Sequence, residues 1–271
     1  MNIEKLIIKN ETVICYSKGG GDTTLFFIHG NSSSSQLFEK QLESELSEQF
    51  RLVAVDLPGH GASDYAIEPE KSYGFAGLAD IIAGVSVSMK LENVIYIGHS
   101  LGGHILLQEG YRLPALAGIV VFGSTPFDLP PRFDLAFQKN PANEYFFSDC
   151  QDDNQFAKWA GLMLSHGIKV PGRIMLNLQT TDPLFRKKIG EFIKAGKLNR
   201  ETTMAESLPV PLAVIHGRGD QLINPKYMSN LSMKNLWRGG VQYLYGGHCL
   251  QWESPESFNS LIVEYADELS D

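Results

Sequence analysis

Val94-Ile95-Tyr96-Ile97-Gly98-His99-Ser100-Leu101-Gly102-Gly103-His104 is the stretch that decides the reading of this chain. Four apolar residues in a row suit a short strand buried on both faces, and the residues from Leu101 to about Tyr111 read as a helix. Between them lies Gly98-His99-Ser100-Leu101-Gly102, a glycine two before and two after a serine. A sharp strand-to-helix turn needs that spacing, because it brings neighbouring backbone together and holds the serine at strained dihedrals. Gly103 adds clearance. The helix that begins there aims its first amides at any negative charge growing beside Ser100.

Working outward, strands and helices alternate. Glu4 to Ile8 and Thr12 to Tyr16 read as a hairpin, and Leu25 to Ile28 as a short apolar strand ending at His29-Gly30. A helix follows over about Gln36 to Glu48, with Leu37, Phe38, Leu42 and Leu46 near one face. Leu52 to Val55 is the next strand, closed by the turn-rich Asp56-Leu57-Pro58-Gly59-His60-Gly61. Then come a helix near Tyr73 to Met89, the central stretch above, and a strand over Gly118 to Phe122. Apolar strands alternating with helices predict a mostly parallel sheet covered on both faces. From Ser124 to Ser207 the pattern changes: Leu129-Pro130-Pro131, an acidic run over Asp149 to Asp153, and amphipathic segments around Phe156 to Leu164 and Leu184 to Lys197. No strand is expected there. The sheet pattern resumes at Leu212 to Ile215 and at Val241 to Leu244.

The 271 residues are 43% hydrophobic and 20% charged, enough apolar material for one large core. A net charge of −8 arises from scattered acids, so no basic face is available for nucleic acid or anionic lipid. Charges interrupt the first ten residues too often for a signal segment, and no apolar run nears the roughly 20 residues of a spanning helix. The expected setting is the cytoplasm, away from membrane. Cys15, Cys150 and Cys249 are odd in number and far apart, which fits reduced thiols, with Cys249 a small filler.

A serine hydroxyl needs a base to become a nucleophile at neutral pH. Among seven histidines, only His248, in Gly246-Gly247-His248 just past the last predicted strand, follows the order serine, acid, histidine that this kind of turn demands. The acid is expected after the strand Leu212 to Ile215, where His216-Gly217-Arg218-Gly219-Asp220 places Asp220; a turn-capping role is the alternative for it. Two N–H groups, from Leu101 and from Asn31 in His29-Gly30-Asn31, would receive the oxyanion, with Gly30 leaving room for the approach. The hydroxyls of Ser32 to Ser35 are expected to cap the next helix, and His29 to brace the loop.

The motifs Ile28-His29-Gly30-Asn31-Ser32-Ser33-Ser34, Asp56-Leu57-Pro58-Gly59-His60-Gly61, Ser72-Tyr73, Ser100-Leu101-Gly102-Gly103-His104 and Asn235-Leu236-Trp237 together resemble the α/β-hydrolase-fold N-acyl-homoserine lactonases that quench bacterial quorum sensing. The likeness runs through both core segments and is weak in the insertion. It implies an α/β-hydrolase fold: a mostly parallel eight-stranded sheet, helices on both faces, a core of 1–124 and 206–271, and a helical cap over 125–205. In that family the acid is Glu and a cap tyrosine helps bind the lactone. Here those positions match Asp220 and Trp159, and an indole N–H can donate but cannot accept. Phe146, Phe147, Phe156, Trp159, Leu162 and Met163 would then line the cap for an acyl chain, or in part form the cap's own core.

The resemblance implies that His248 deprotonates Ser100 as it attacks a lactone carbonyl, that the ring opens into an acyl-enzyme, and that water releases a hydroxy acid. The partner is a small acyl substrate. No cofactor is implied, and no clustered H-x-H-x-D-H set suggests a metal. Two other readings stay open: a general carboxylesterase or carbon–carbon hydrolase of the same fold, and a non-hydrolytic receptor using the cap pocket.

Overall fold

The structure is a computed structural model that describes residues 1–148 and 152–270. Cys150 and most of the acidic run lie outside the described residues. Eight strands form one sheet: β1 (Asn2–Ile8), β2 (Glu11–Lys18), β3 (Thr24–Ile28), β4 (Arg51–Asp56), β5 (Val94–His99), β6 (Leu116–Phe122), β7 (Leu212–Gly217) and β8 (Gln242–Leu244). Their order is β1-β2-β4-β3-β5-β6-β7-β8. The β1–β2 and β2–β4 pairings are antiparallel and the other five are parallel, so β3, β4 and β5 to β8 all run the same way and end on one edge. This is the α/β-hydrolase fold, with Ser100 at the carboxyl end of β5, in the middle of the sheet.

Side chains alternate across a strand, and β3 shows what that does. Phe26 and Ile28 enter one core with Leu78, Ile82, Tyr96 and Ile105, under the helices Phe75–Ser88 and Leu101–Glu109. Leu25 and Phe27 enter the other, with Ile97, Phe122, Phe258 and Ile262, under the helix Pro255–Ser270. Every residue of β3 and β5 is buried. That two-sided burial is why the strands read as unbroken apolar runs.

Helix boundaries differ from expectation in informative ways. In place of one helix over Gln36 to Glu48 there is a 3-10 turn (Ser35–Phe38) and two single turns, Glu39–Leu42 and Leu46–Gln49. Ser44 interrupts them: its hydroxyl donates to Gln41 O (2.7 Å) and accepts from Leu46 N (3.3 Å), taking backbone groups a continuous helix would use. Near Tyr73 the helix starts only at Phe75, after the separate turn Pro69–Ser72.

Between β6 and β7 the chain is helical. The expected amphipathic segments appear as Asp153–Leu162 and Pro183–Lys194, joined by Phe133–Ala136, a 3-10 turn over Pro141–Phe147, Gly172–Thr180 and Glu201–Glu206, which the sequence pattern did not reveal. Gly172–Thr180 buries Ile174, Asn177 and Leu178 and leaves Leu176 exposed. No named strand lies in this segment among the described residues; Phe137 makes one isolated bridge to Ile223. No helix among the described residues is long and apolar enough to cross a membrane.

Candidate active site

Ser100 sits between the end of β5 and the first residue of the following helix at φ 51°, ψ −114°, a region non-glycine residues seldom occupy. Three backbone contacts hold it there. Its N–H donates to Phe122 O of β6 (2.8 Å), and its carbonyl accepts from His104 N (3.0 Å) and from the Ser124 hydroxyl (2.8 Å). The flanking glycines are required by contact: a Cβ on Gly98 would lie 2.5 Å from the Gly102 carbonyl carbon, and one on Gly102 would lie 2.4 Å from Ile28 O.

Asp220 follows β7, and His248 follows β8. His248 Nδ1 donates to Asp220 Oδ2 at 2.9 Å, while Asp220 Oδ1 accepts from the Leu222 and Ile223 amides at 2.8 and 3.1 Å. Burial would raise the Asp220 carboxyl, but the facing imidazole, its hydrogen bond and the two amides outweigh it and hold the group below the usual carboxylate range. An ionised Asp220 fixes the His248 proton on Nδ1 and leaves the lone pair on Nε2. The loop around the imidazole is pinned on three sides. Gly247 N donates to Glu253 Oε1 (2.9 Å), Cys249 N to Met163 O (3.0 Å), and His99 Nε2 to His248 O (3.1 Å). Cys249 is fully buried, which pushes its thiol well up. Gly123, which sequence reasoning did not single out, has φ +60° and would put a Cβ 3.0 Å from His248 Cε1. Its position straight after a strand that neighbours the serine strand was the available signal.

Ser100 and His248 open into one cavity, and Gly30, Asn31 and Leu101 lie in its wall with them. The loop after β3 is braced from below. His29 Nδ1 donates to Gly30 O (2.8 Å) while its Nε2 accepts from Leu57 N (3.0 Å), and Asp56 accepts from Ser35 N and Ala62 N (2.7 and 2.9 Å). Ser34 caps the 3-10 turn by accepting from Gln36 N, whereas the Ser32 hydroxyl donates to Asn31 Oδ1. The Asn31 side chain reaches across to donate to Phe146 O at 2.7 Å. The Leu101 amide, first in its helix, has no intrahelical acceptor.

Of the cap residues expected in the lining, Phe146, Phe147, Trp159 and Met163 are there, with Phe146 and Trp159 packed at 4.9 Å between ring centres. Phe156 and Leu162 are not. Phe156 is 2% exposed beneath the Arg186 guanidinium, which lies 5.4 Å from its ring centre. Phe156 and Trp159 are three positions apart, so both sit near one stripe of the helix and only tertiary packing decides which faces the cavity. The sequence reading missed Phe75, Phe127, Phe133, Phe137, Ile193, Leu222 and His104 in the wall. Phe133 and Phe137, four apart after the Pro-rich run, carried a faint helical signal; the rest carried none. Among the described residues no group of His, Cys, Asp or Glu is arranged to hold a metal ion.

With a serine at a strand-to-helix elbow and a buried His–Asp pair on neighbouring loops, the architecture is that of a hydrolase. The chain belongs to the alpha/beta hydrolase family, whose pattern matches residues 25–261. It is 24% identical to the AB hydrolase superfamily protein YisY of Bacillus subtilis, over 92% of this chain and 93% of that one. It is also 35% identical to 2-(acetamidomethylene)succinate hydrolase of Mesorhizobium japonicum, over 49% of this chain and 46% of that one. Among solved structures, a mutant of the N-acyl homoserine lactonase AidH complexed with N-hexanoyl homoserine lactone superposes with a TM-score of 0.91 at 26% identity, covering 99% of this chain and 98% of that one. An aryl esterase described as putative, from Burkholderia cenocepacia, shares the fold at a TM-score of 0.81 and 20% identity, covering 99% of each chain.

Proposed function

We propose that this hydrolase opens the lactone ring of N-acyl homoserine lactones through an acyl-enzyme on Ser100. The observation that carries the reading is the apolar, aromatic-walled cavity above Ser100, on a chain that matches a lactonase of that substrate class over nearly its whole length. Residues 125–205 act as a cap on a core formed by 1–124 and 206–271.

His248 Nε2 takes the Ser100 proton as Oγ attacks the lactone carbonyl, and Asp220 stabilises the imidazolium that forms. The oxyanion is received by the amides of Asn31 and Leu101, with Gly30 giving it room. Collapse breaks the ring C–O bond, and the alkoxide, still tethered to the acyl group, takes the proton from His248. Water activated by the same imidazole then attacks the acyl-enzyme and releases the hydroxy acid. Trp159, Phe146 and Met163 bind the acyl chain, and Phe156 does not reach it.

The test is product analysis by mass spectrometry with short- and long-chain acyl homoserine lactones beside simple aryl esters. Gain of one water by the lactones, faster than ester cleavage and reduced by about 10³-fold or more in Ser100→Ala, is expected. Ester cleavage with lactones untouched makes the protein a carboxylesterase. Wild-type turnover in Ser100→Ala removes the serine mechanism.

A further inference from the structure

A second histidine–carboxylate pair faces the same cavity. His104 lies one helical turn after Ser100, tied to it by the His104 N–H donated to Ser100 O at 3.0 Å, and both residues line the one cavity. Its Nδ1 lies 3.0 Å from both oxygens of Glu201, a carboxylate whose side chain is 0% exposed. Gln108 Nε2 also donates to Glu201 (2.9 Å), and Gln108 itself is locked by the Asn199 amide at 2.6 Å. The ring of His104 packs on Phe127, which packs on Phe133. Phe127, Phe133 and Phe137 line the cavity with His104.

The two pairs are opposite in sense. Asp220 is held low and ionised, which leaves His248 Nε2 an acceptor. Burial instead raises the Glu201 carboxyl, against the pull of His104, Gln108 and the Phe127 amide, and among the described residues no arginine or lysine is bonded to it to balance a charge. A buried pair of this kind is cheapest when electrically neutral. Neutrality allows an imidazolium facing a carboxylate, or a neutral imidazole facing a carboxylic acid. In both states Nδ1 and the carboxyl share one proton, and Nε2 carries the other. Nε2 is therefore an N–H donor aimed away from Glu201.

We propose that His104, oriented by Glu201, donates a hydrogen bond to a carbonyl oxygen carried four bonds beyond the scissile carbonyl carbon, and so selects α-acylamino esters and lactones over plain fatty-acyl ones. Four covalent bonds of about 1.2–1.5 Å each carry such an oxygen away from an acyl carbon at Ser100 and into the cavity whose wall holds His104. A substrate with that oxygen satisfies the donor in an apolar setting. One without it leaves the donor unpaired, which is worth about 10- to 100-fold in specificity. The inference rests on Ser100 being the nucleophile and deepens the lactonase reading without requiring a lactone.

The test uses p-nitrophenyl N-butanoylglycinate and p-nitrophenyl heptanoate, acyl chains of equal length that differ in the amide, with kcat/KM corrected by their hydroxide-catalysed rates. Wild type is expected to favour the amide ester by at least about 10-fold, and His104→Phe, which keeps the packing on Phe127, to bring the ratio to near one. Should His104→Phe not fold, Glu201→Gln carries the comparison, again with a fall in the ratio expected. A wild-type ratio near one, a ratio undiminished in the variants, or cleavage of neither ester overturns the proposal. Lactones run in parallel judge the lactonase reading separately, because their failure with the amide ester still favoured would overturn that reading alone.

Discussion

The sheet edge that carries Ser100 and the helices between β6 and β7 that wall its cavity are built to different tolerances. At the edge, Cβ atoms on Gly98, Gly102 and Gly103 would each meet a neighbour at 2.5 Å or less, whereas Gly161, Gly167 and Gly172 in the helical segment have nothing within 4 Å. Ser100 itself is held in a disfavoured conformation by Phe122 O of β6, the His104 amide and the Ser124 hydroxyl. The helical segment is instead held by side chains: Asp182 caps the helix Pro183–Lys194 and accepts from the Tyr73 hydroxyl at 2.6 Å. The edge rests on backbone that cannot shift, and the cavity wall on side chains that can be exchanged.

The sharpest way to break that contrast is at Asp220. Asp220→Asn should preserve the fold and lower kcat by about 10⁴-fold, because the amide cannot fix the His248 tautomer; a loss under tenfold would remove Asp220 from the proton path. Gly102→Ala comes next. Its Cβ meets Ile28 O, a backbone atom that cannot step aside, so a stability loss of about 1–3 kcal/mol and a displaced Ser100 are expected, read as a lower Tm together with a lower kcat. Trp159→Phe probes the other region: the smaller ring loses contact with Phe146, so KM for long-chain substrates should rise about 2- to 10-fold with kcat little changed. A fall in kcat instead would mean that the wall takes part in the chemistry. The smallest effect is expected at Gly161, within the helix Asp153–Leu162, where Gly161→Ala should stabilise by about 0.5–1 kcal/mol, seen as a small rise in Tm with unchanged turnover.

The sequence was legible where burial and sterics leave few choices. Strands β3 to β7 are buried along nearly all their length, so their apolar runs were visible without knowing their partners, and the glycines around Ser100 announce a close backbone approach. His248 and Asp220 could be chosen because they follow strand ends in a fixed order. The wall of the cavity was not legible in this way. Phe156 and Trp159 are both apolar, both buried and on one helix, yet one lies under Arg186 and the other faces the cavity, and that division is made by packing from distant segments. His104 and Glu201 are 97 residues apart, and nothing local marks either as the other's partner. The helix expected over Gln36 to Glu48 failed for a local reason instead: Ser44 offers its own hydroxyl to the backbone.

Hydrogen bonds join the helical segment to the loops around Asp220 and His248, where Gln138 donates to Asp220 O and Cys249 N to Met163 O, and a further five join it to the other side of the cavity. Asn31 donates to Phe146 O, Arg186 to the Ser32 hydroxyl, the Ser34 hydroxyl to Asn177, Tyr73 to Asp182, and Asp182 N to Gly59 O. Four of the five receiving or donating groups on the sheet side belong to loops that follow β3 and β4, and one of them, Asn31, also lies in the wall of the cavity that Ser100 opens into. For protein engineering this is a seam with known stitches. A foreign helical segment grafted between β6 and β7 would need a carbonyl at the place of Phe146 and a carboxylate at the place of Asp182 before its pocket could inherit the catalytic edge intact.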